Sequence, residues 1–278
     1  MNLVIQGQSL APATLRRLSK LTGARETVLI DAHACRLHGV RREEADAPVA
    51  AFCATSALDW AWVDERRLGD FSLFITDMDS TLINIECIDE IADMQGVKNE
   101  VAAITEAAMR GEIDFRTSLV RRVSLLKGLP EQALAKVYAE RLRLNPGVEA
   151  LMDNLKTVGV RTALVSGGFT YFTERLRQEL GFDYAWANEL EIVNGHLTGR
   201  VIGTIIDGRA KADCLTETRD TLGLTPGKVL CAGDGANDIP MFRAAGFGVA
   251  YRPKPTLREV ADCCLDHVGL EGIARLFD

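Results

Sequence analysis

The sequence predicts an α/β protein: a Rossmann-like parallel sheet core with an inserted four-helix cap, preceded by a small α+β ferredoxin-like domain. Three observations predict it. Short apolar runs without alternation, at 73–76, 161–165 and 228–232, each break into polar or glycine residues. Buried parallel strands look like this, and their carboxyl ends open on the ligand crevice of such a sheet. Between the first and second runs lie some 60 residues of helical pattern. Ahead of them, roughly the first 65 residues follow the order strand, helix, strand, strand, helix, strand of a split β-α-β unit. At 278 residues a single core is no longer the natural assumption. Two domains are expected, 1–70 and 71–278, with the cap at about 84–145.

Composition narrows the function. A formal charge of -7 supplies no basic surface for nucleic acid or an anionic membrane. A small anionic substrate would therefore be held by a few placed cations and a metal. No apolar run approaches the roughly 18 residues of a spanning helix, and no signal-peptide order opens the chain, so a cytoplasmic protein is expected. The seven cysteines are odd in number, scattered and without C-x-x-C spacing, which points to reduced core residues rather than disulfides or zinc. Monomer and homodimer are both compatible with the sequence.

In the first domain, strands are expected at Asn2–Gly7, Thr27–Ile30, within Ala34–Val40 and at Trp60–Val63, with helices at Ala11–Leu21 and Ala45–Leu58. Arg66 and Arg67 fall in a polar linker, 64–70. The run Leu73-Phe-Ile-Thr-Asp-Met-Asp-Ser-Thr81 then ends in two carboxylates at i and i+2. Such residues leave an extended chain on one side, so Asp77 and Asp79 can face one ligand. Two like charges there are costly unless a cation or a shared proton relieves them.

The cap helices are expected at Glu86–Gln95, Lys98–Arg110, Asp114–Lys127 and Pro130–Leu142, punctuated by Gly96, Gly111 and Gly128. In the third, Phe115, Leu119, Arg122 and Leu126 share one stripe, which turns Arg122 inward. Periodicity alone leaves a snorkelling arginine at the stripe's edge as open as a functional one. After a helix at Val148–Val158, Arg161–Gly168 ends in Ser166-Gly-Gly, where a hydroxyl and main-chain amides can meet an anion, although alone it is an ordinary strand-to-helix turn. Asn194-Gly195 marks a hairpin between 189–193 and 196–202, with His196 on its surface. Lys211 lies near the next helix start, and Lys228–Asp238 ends in Asp234-Gly-Ala-Asn-Asp238. That turn lacks the alternating oxygen ligands of a calcium loop and suits magnesium better.

Taken together, Asp77-Met-Asp-Ser-Thr81, Ser166, Lys211 and Gly233-Asp-Gly-Ala-Asn-Asp238 resemble the motifs of the haloacid dehalogenase-like phosphatases. The segments 77–86, 122–130 and 165–170 are similar to those of the members that cleave O-phosphoserine. The resemblance covers about 71–278 and implies two displacements at phosphorus with Mg2+ as cofactor. It implies Asp77 as nucleophile, Asp79 as general acid and base, and Ser166, Gly167 and Lys211 on the phosphate. Asp77, Asp234 and the Asp79 main-chain carbonyl would hold the metal, with Asn237 and Asp238 orienting Lys211 or metal waters. In the cap, Arg122 would pair the substrate carboxylate and Glu86 its ammonium, while Met109 and Phe115 line an apolar wall. For 1–70 it implies an ACT-like regulatory domain. A related phosphomonoesterase, a phosphotransferase using an acceptor alcohol, and an amino-acid sensor with a vestigial site are the alternatives.

Overall fold

The structure, a computed structural model, describes residues 1–277; Asp278, the last residue of the expected second domain, lies outside them. The first unit comprises β1 (Asn2–Gly7), α1 (Pro12–Thr22), β2 (Glu26–Leu29), β3 (Ala34–His38), α2 (Arg42–Ser56) and β4 (Leu58–Val63). Its strands run in the order β2-β3-β1-β4, every neighbour antiparallel, which is the ferredoxin-like arrangement. Period two divides β1 between two cores. Leu3 and Ile5 face Val49, Cys53 and Leu18 on the helices, whereas Val4, with Ala61 and Val63 of β4, turns to the larger unit. Burial on both faces explains why β1 reads as one apolar run.

The expected polar linker is not a free tether. Leu68 and Phe71 are buried in the same cluster as Val4 and Val63, and the Phe71 ring stands edge-on to Phe277 at 4.8 Å. Asp59, buried on β4, accepts from the amides of Asp266, His267 and Val268 at 2.9, 2.9 and 3.0 Å. A carboxylate inside the first unit thus caps a loop of the second. A cavity of about 610 Å³ opens beside this junction, lined in part by Trp60, Arg42 and Cys263, and none of the motif residues borders it.

The second unit starts with β5 (Leu73–Thr76) and the cap helices α3 (Cys87–Gln95), α4 (Lys98–Met109), α5 (Phe115–Ser124) and α6 (Gln132–Lys136). It continues through α7 (Val148–Thr157), β6 (Arg161–Phe169), α8 (Thr170–Leu180), β7 (Tyr184–Val193), β8 (His196–Ile202) and α9 (Gly208–Thr221). Last come β9 (Val229–Gly233), α10 (Ile239–Ala244), β10 (Phe247–Tyr251), α11 (Pro255–Arg258), β11 (Cys263–Leu265) and α12 (Gly272–Arg275). The seven strands run β11-β10-β9-β5-β6-β7-β8, all neighbours parallel except β7 with β8. Successive strands proceed one way from β5 to β6 and the other way from β9 to β10. The order therefore reverses between β5 and β9, where the crevice of such a sheet opens.

Several bounds differ from those expected. α5 stops at Ser124 because turns leading to Gly128, at φ +85°, end it before Lys127. α6 widens into a π-helical turn over Val137–Arg141. β7 begins at Tyr184, since its first half pairs with β6 and only its second half with β8. The hairpin turn itself is as read: Asn194 and Gly195 both have positive φ, at 51° and 73°. Its tip supports the cap, with Leu197 donating to the Leu129 carbonyl and Glu131 to that of Gly195. At the cap's base Ile83 bridges Leu144, and the Asn145 amide donates to the Thr81 and Ile83 carbonyls at 2.8 and 3.0 Å. The seven cysteines are free.

Candidate active site

Asp77 stands one residue beyond β5 at the point where strand order reverses, its amide still bonded to the Ala232 carbonyl of β9 at 3.0 Å. Its Oδ1 accepts from the Met78 amide at 2.7 Å and pairs with Lys211 Nζ at 2.8 Å. Burial, with the Asp238 and Asp234 charges, pushes its carboxyl up to about 7, against the pull of Lys211. Asp79 follows in the turn beyond β5, its Oδ2 beside Gly168 of β6. Burial raises it well above the carboxylate range, aided by the charges of Glu86 and Asp77 and opposed by hydrogen bonding to Cys87. Its Oδ1 is buried without a hydrogen-bond partner. The shift is toward the protonated form that a general acid needs. Ser80 turns the chain with φ +58° and donates from Oγ to Glu86 Oε1 at 2.8 Å, placing Glu86 beside the pair.

β6 supplies the opposite lip. The Ser166 hydroxyl is buried and accepts from the Gly168 amide at 2.8 Å, which leaves its own proton to donate outward. A Cβ on Gly168 would lie 2.9 Å from Asp79 Oδ2 and 3.0 Å from Ser166 Oγ, so only glycine lets these groups converge. Over Gly167 lies the Phe115 ring of α5, its Cζ 3.0 Å from where a Cβ would stand. Asn188, buried on β7, joins the Gly167 carbonyl at 2.8 Å to the Ile206 amide at 2.8 Å. It ties this lip to the segment that leads into α9.

Lys211, in the first turn of α9, is only 1% exposed. Its Nζ sits 2.8 Å from both Asp77 Oδ1 and Asp238 Oδ1. Burial works against its charge, and the two carboxylates outweigh that, so it stays an ammonium. Asp238 is committed on both sides, since its Oδ2 accepts from the amides of Asp234 and Gly235 at 3.1 Å each. Asn237 lies half-buried on the same turn, its main chain against Gly208 at the start of α9. Oxygens of Asp77, Asp234 and Asp238 lie within 4.8 Å of one another. Three buried carboxylates around one lysine leave excess negative charge and only oxygen donors, a set that fits a hard divalent cation.

The cap closes over this group. Arg122 is half-buried on α5, its Nε donating to the Ser118 carbonyl at 3.4 Å; burial lowers the guanidinium's pKa, and the charges of Asp89, Glu86 and Asp79 oppose that. Met109 is different. It is the last residue of α4 and 78% exposed, so the structure does not bring it to the wall expected of it. Two residues were missed from sequence: Asn188, a buried amide in an apolar strand, and Lys254, whose Nζ lies 3.0 Å from Asp234 Oδ2. Glu189 and Glu191 share the strand with Asn188, so polarity did not single out the first; a lysine between two prolines reads as solvent.

A haloacid dehalogenase-like hydrolase family model matches residues 74–243. A phosphoserine phosphatase of Polaromonas sp. strain JS666 is 53% identical over 217 residues, 76% of this chain and 92% of that protein. The chain belongs to the haloacid dehalogenase-like hydrolases. Within that family, the unliganded crystal structure of a probable phosphoserine phosphatase from Vibrio cholerae superposes with a TM-score of 0.86 at 37% identity, over 99% of this chain and 86% of that one. A phospho-aspartyl intermediate analogue of a phosphoserine phosphatase matches with a TM-score of 0.70 at 41% identity, over 75% of this chain and 99% of that one. Residues 3–46 match a domain of unknown function, DUF4072. Among the described residues, no helix is long and apolar enough to cross a membrane.

Proposed function

We propose that this hydrolase cleaves O-phosphoserine to serine and phosphate, with magnesium, through an aspartyl-phosphate on Asp77. One observation carries the reading: a nucleophile, a neutral acid and phosphate-binding donors meet at one crevice, under a cap guanidinium and carboxylate that suit an amino acid's two charges. The names of the Polaromonas relative and of the intermediate analogue support it.

Asp77 Oδ1 is steadied by the Met78 amide and Lys211, so the other carboxylate oxygen is presented to phosphorus. As the bond from phosphorus to the serine oxygen breaks, Asp79 gives that oxygen its proton. In the second displacement Asp79 takes a proton from the attacking water, whose oxygen bonds to phosphorus and frees the Asp77 carboxylate. The Ser166 hydroxyl, the Gly167 amide and Lys211 hold the phosphoryl oxygens through both steps. Asp77, Asp234 and the Asp79 main-chain carbonyl would hold Mg2+, which would supply charge neutralisation to the bound phosphate. Asp238 keeps Lys211 aimed, and Asn237 borders the metal side of the turn.

The deciding experiment measures phosphate release from phosphoserine with Mg2+, with excess chelator, and with an acceptor alcohol. Release to water that chelation abolishes is expected; phosphoryl transfer to the alcohol in preference to water would make the protein a phosphotransferase, and no turnover would leave a sensor. Arg122 sets the substrate in this scheme by pairing its carboxylate, and Glu86 by pairing its ammonium. Arg122→Ala removes a charge-assisted pair of about 1.5–3 kcal/mol, so kcat/KM for phosphoserine should fall roughly ten- to a hundredfold. A phosphate ester without a carboxylate should lose far less. Equal losses on both would assign Arg122 to the fold.

The boundary near residue 70 separates chemistry from what precedes it, since every motif residue lies at or beyond Asp77. A chain starting at Leu68 should keep Mg2+-dependent turnover but unfold at lower urea, because it removes Val4, Ala61 and Val63 from the shared core and uncaps the 266–268 amides. Urea melts and phosphate release on the same preparation test this. A folded, inactive truncation would make the first unit part of the catalytic one. We place its role in regulation, and loss of an inhibition by serine that phosphoserine cannot compete away would be its signature.

A further inference from the structure

β10 ends at Tyr251, and Arg252-Pro-Lys-Pro255 then brings one more cation to the crevice. Prolines on both sides restrict the backbone at Lys254, and its amide donates to the Asp234 carbonyl at 2.8 Å. The side chain lies across Gly235, its Nζ 3.5 Å from where a Cβ of that glycine would stand. The ammonium reaches Asp234 Oδ2 at 3.0 Å and Glu86 Oε1 at 3.9 Å. One cation thus spans a core carboxylate and a carboxylate at the entrance to the cap. Lys211 is sealed between Asp77 and Asp238, whereas the Lys254 side chain is 53% exposed and borders solvent.

We propose that Lys254 is an internal counter-ion of the metal-free site, held on Asp234 until a divalent cation takes that carboxylate and drives the ammonium toward Glu86 and solvent. The inference rests on the reading that Asp77 and Asp234 hold the metal. A divalent cation and an ammonium on one carboxylate repel, and the low dielectric of a site where Asp234 is buried sharpens the conflict. Glu86 offers the displaced ammonium a second anion without any backbone movement, since Oε1 is already within 3.9 Å. Two consequences follow. The carboxylates bind metal less tightly than they would without Lys254, and the empty site does not carry the full repulsion of its acids.

The test uses the full chain with Lys254→Met, which keeps an apolar stem and removes the charge, and with Lys254→Arg, which retains it. Mg2+ binding by calorimetry should tighten roughly three- to tenfold in Lys254→Met, the scale of a partly exposed ion pair, and stay near wild type in Lys254→Arg. Melting in chelator should be lower for Lys254→Met than for wild type, with the gap closing at saturating Mg2+. Unchanged or weaker Mg2+ binding in Lys254→Met overturns the proposal, because Lys254 would then support Asp234 rather than compete for it. If wild type itself takes up no Mg2+, the metal reading fails and the proposal falls with it.

Discussion

Asp77→Asn should fold, bind phosphoserine and turn it over roughly ten-thousand- to a millionfold more slowly, the scale on which removing one member of a nucleophilic catalytic unit acts. Asparagine can still accept from the Met78 amide through its carbonyl oxygen, and Lys211 keeps Asp238, so nothing in the local packing is lost. Only the attacking carboxylate is gone. Acid quench after mixing with phosphoserine labelled at phosphorus should trap covalent phosphate on the wild type and none on the variant. Turnover near wild type, or label retained at position 77, would sink the mechanism. The variant also has a stability signature. The native carboxyl is raised to about 7 whereas the unfolded one titrates near 3.9, so the native state binds the extra proton between them. That contribution is complete below about pH 4 and disappears as pH rises through about 7. Metal-free wild type should therefore lose stability over this window, and Asp77→Asn should lose less of it, as urea melts in chelator at several pH values would reveal.

The parts of this site that were legible in sequence are those whose environment is set by their own strand. Asp77 directly follows an apolar run, so its burial at a strand tip follows from β5 itself, whereas Asp79 lies in the turn beyond and meets Gly168 there, and Ser166 with its glycines marks the second tip. Lys211 was not legible by itself, because a lysine near a helix start is usually solvated; its burial follows from Asp77 and Asp238, which come from two other strand tips. The same holds for Asp238, whose two oxygens are occupied by a lysine 27 residues away and by amides of its own turn. Lys254 and Asn188 act entirely through such distant partners. Met109 is a place where the resemblance and the local structure part, since the former implies a wall residue at the end of a cap helix that projects into solvent. The packing of the linker was hidden for a related reason: the polarity of 64–70 is visible, whereas the contacts of Leu68 and Phe71 with Phe277 depend on the far end of the chain.

Asp79→Asn should lower phosphoserine turnover about a hundred- to ten-thousandfold, the usual weight of a positioned general acid and base, and should do so selectively. Serine leaves as an alkoxide that needs a proton, and burial, with the charges of Glu86 and Asp77, shifts Asp79 toward the protonated form that can supply it. A small acyl phosphate leaves as a carboxylate and needs none. With that substrate the variant should still phosphorylate Asp77, and the aspartyl-phosphate should accumulate because the base for the second displacement is missing. Acid-quenched label on Asp77 would then be high from acyl phosphate and low from phosphoserine. Asparagine preserves the close approach to Gly168, where there is no room for a larger group, so a folding defect is not expected and melting curves should overlay. Equal loss of labelling from both substrates would show that Asp79 shapes the site instead of moving a proton. The acid would then have to be sought elsewhere, and Cys87 is a poor substitute, because burial alone already pushes its thiol well above its ordinary range.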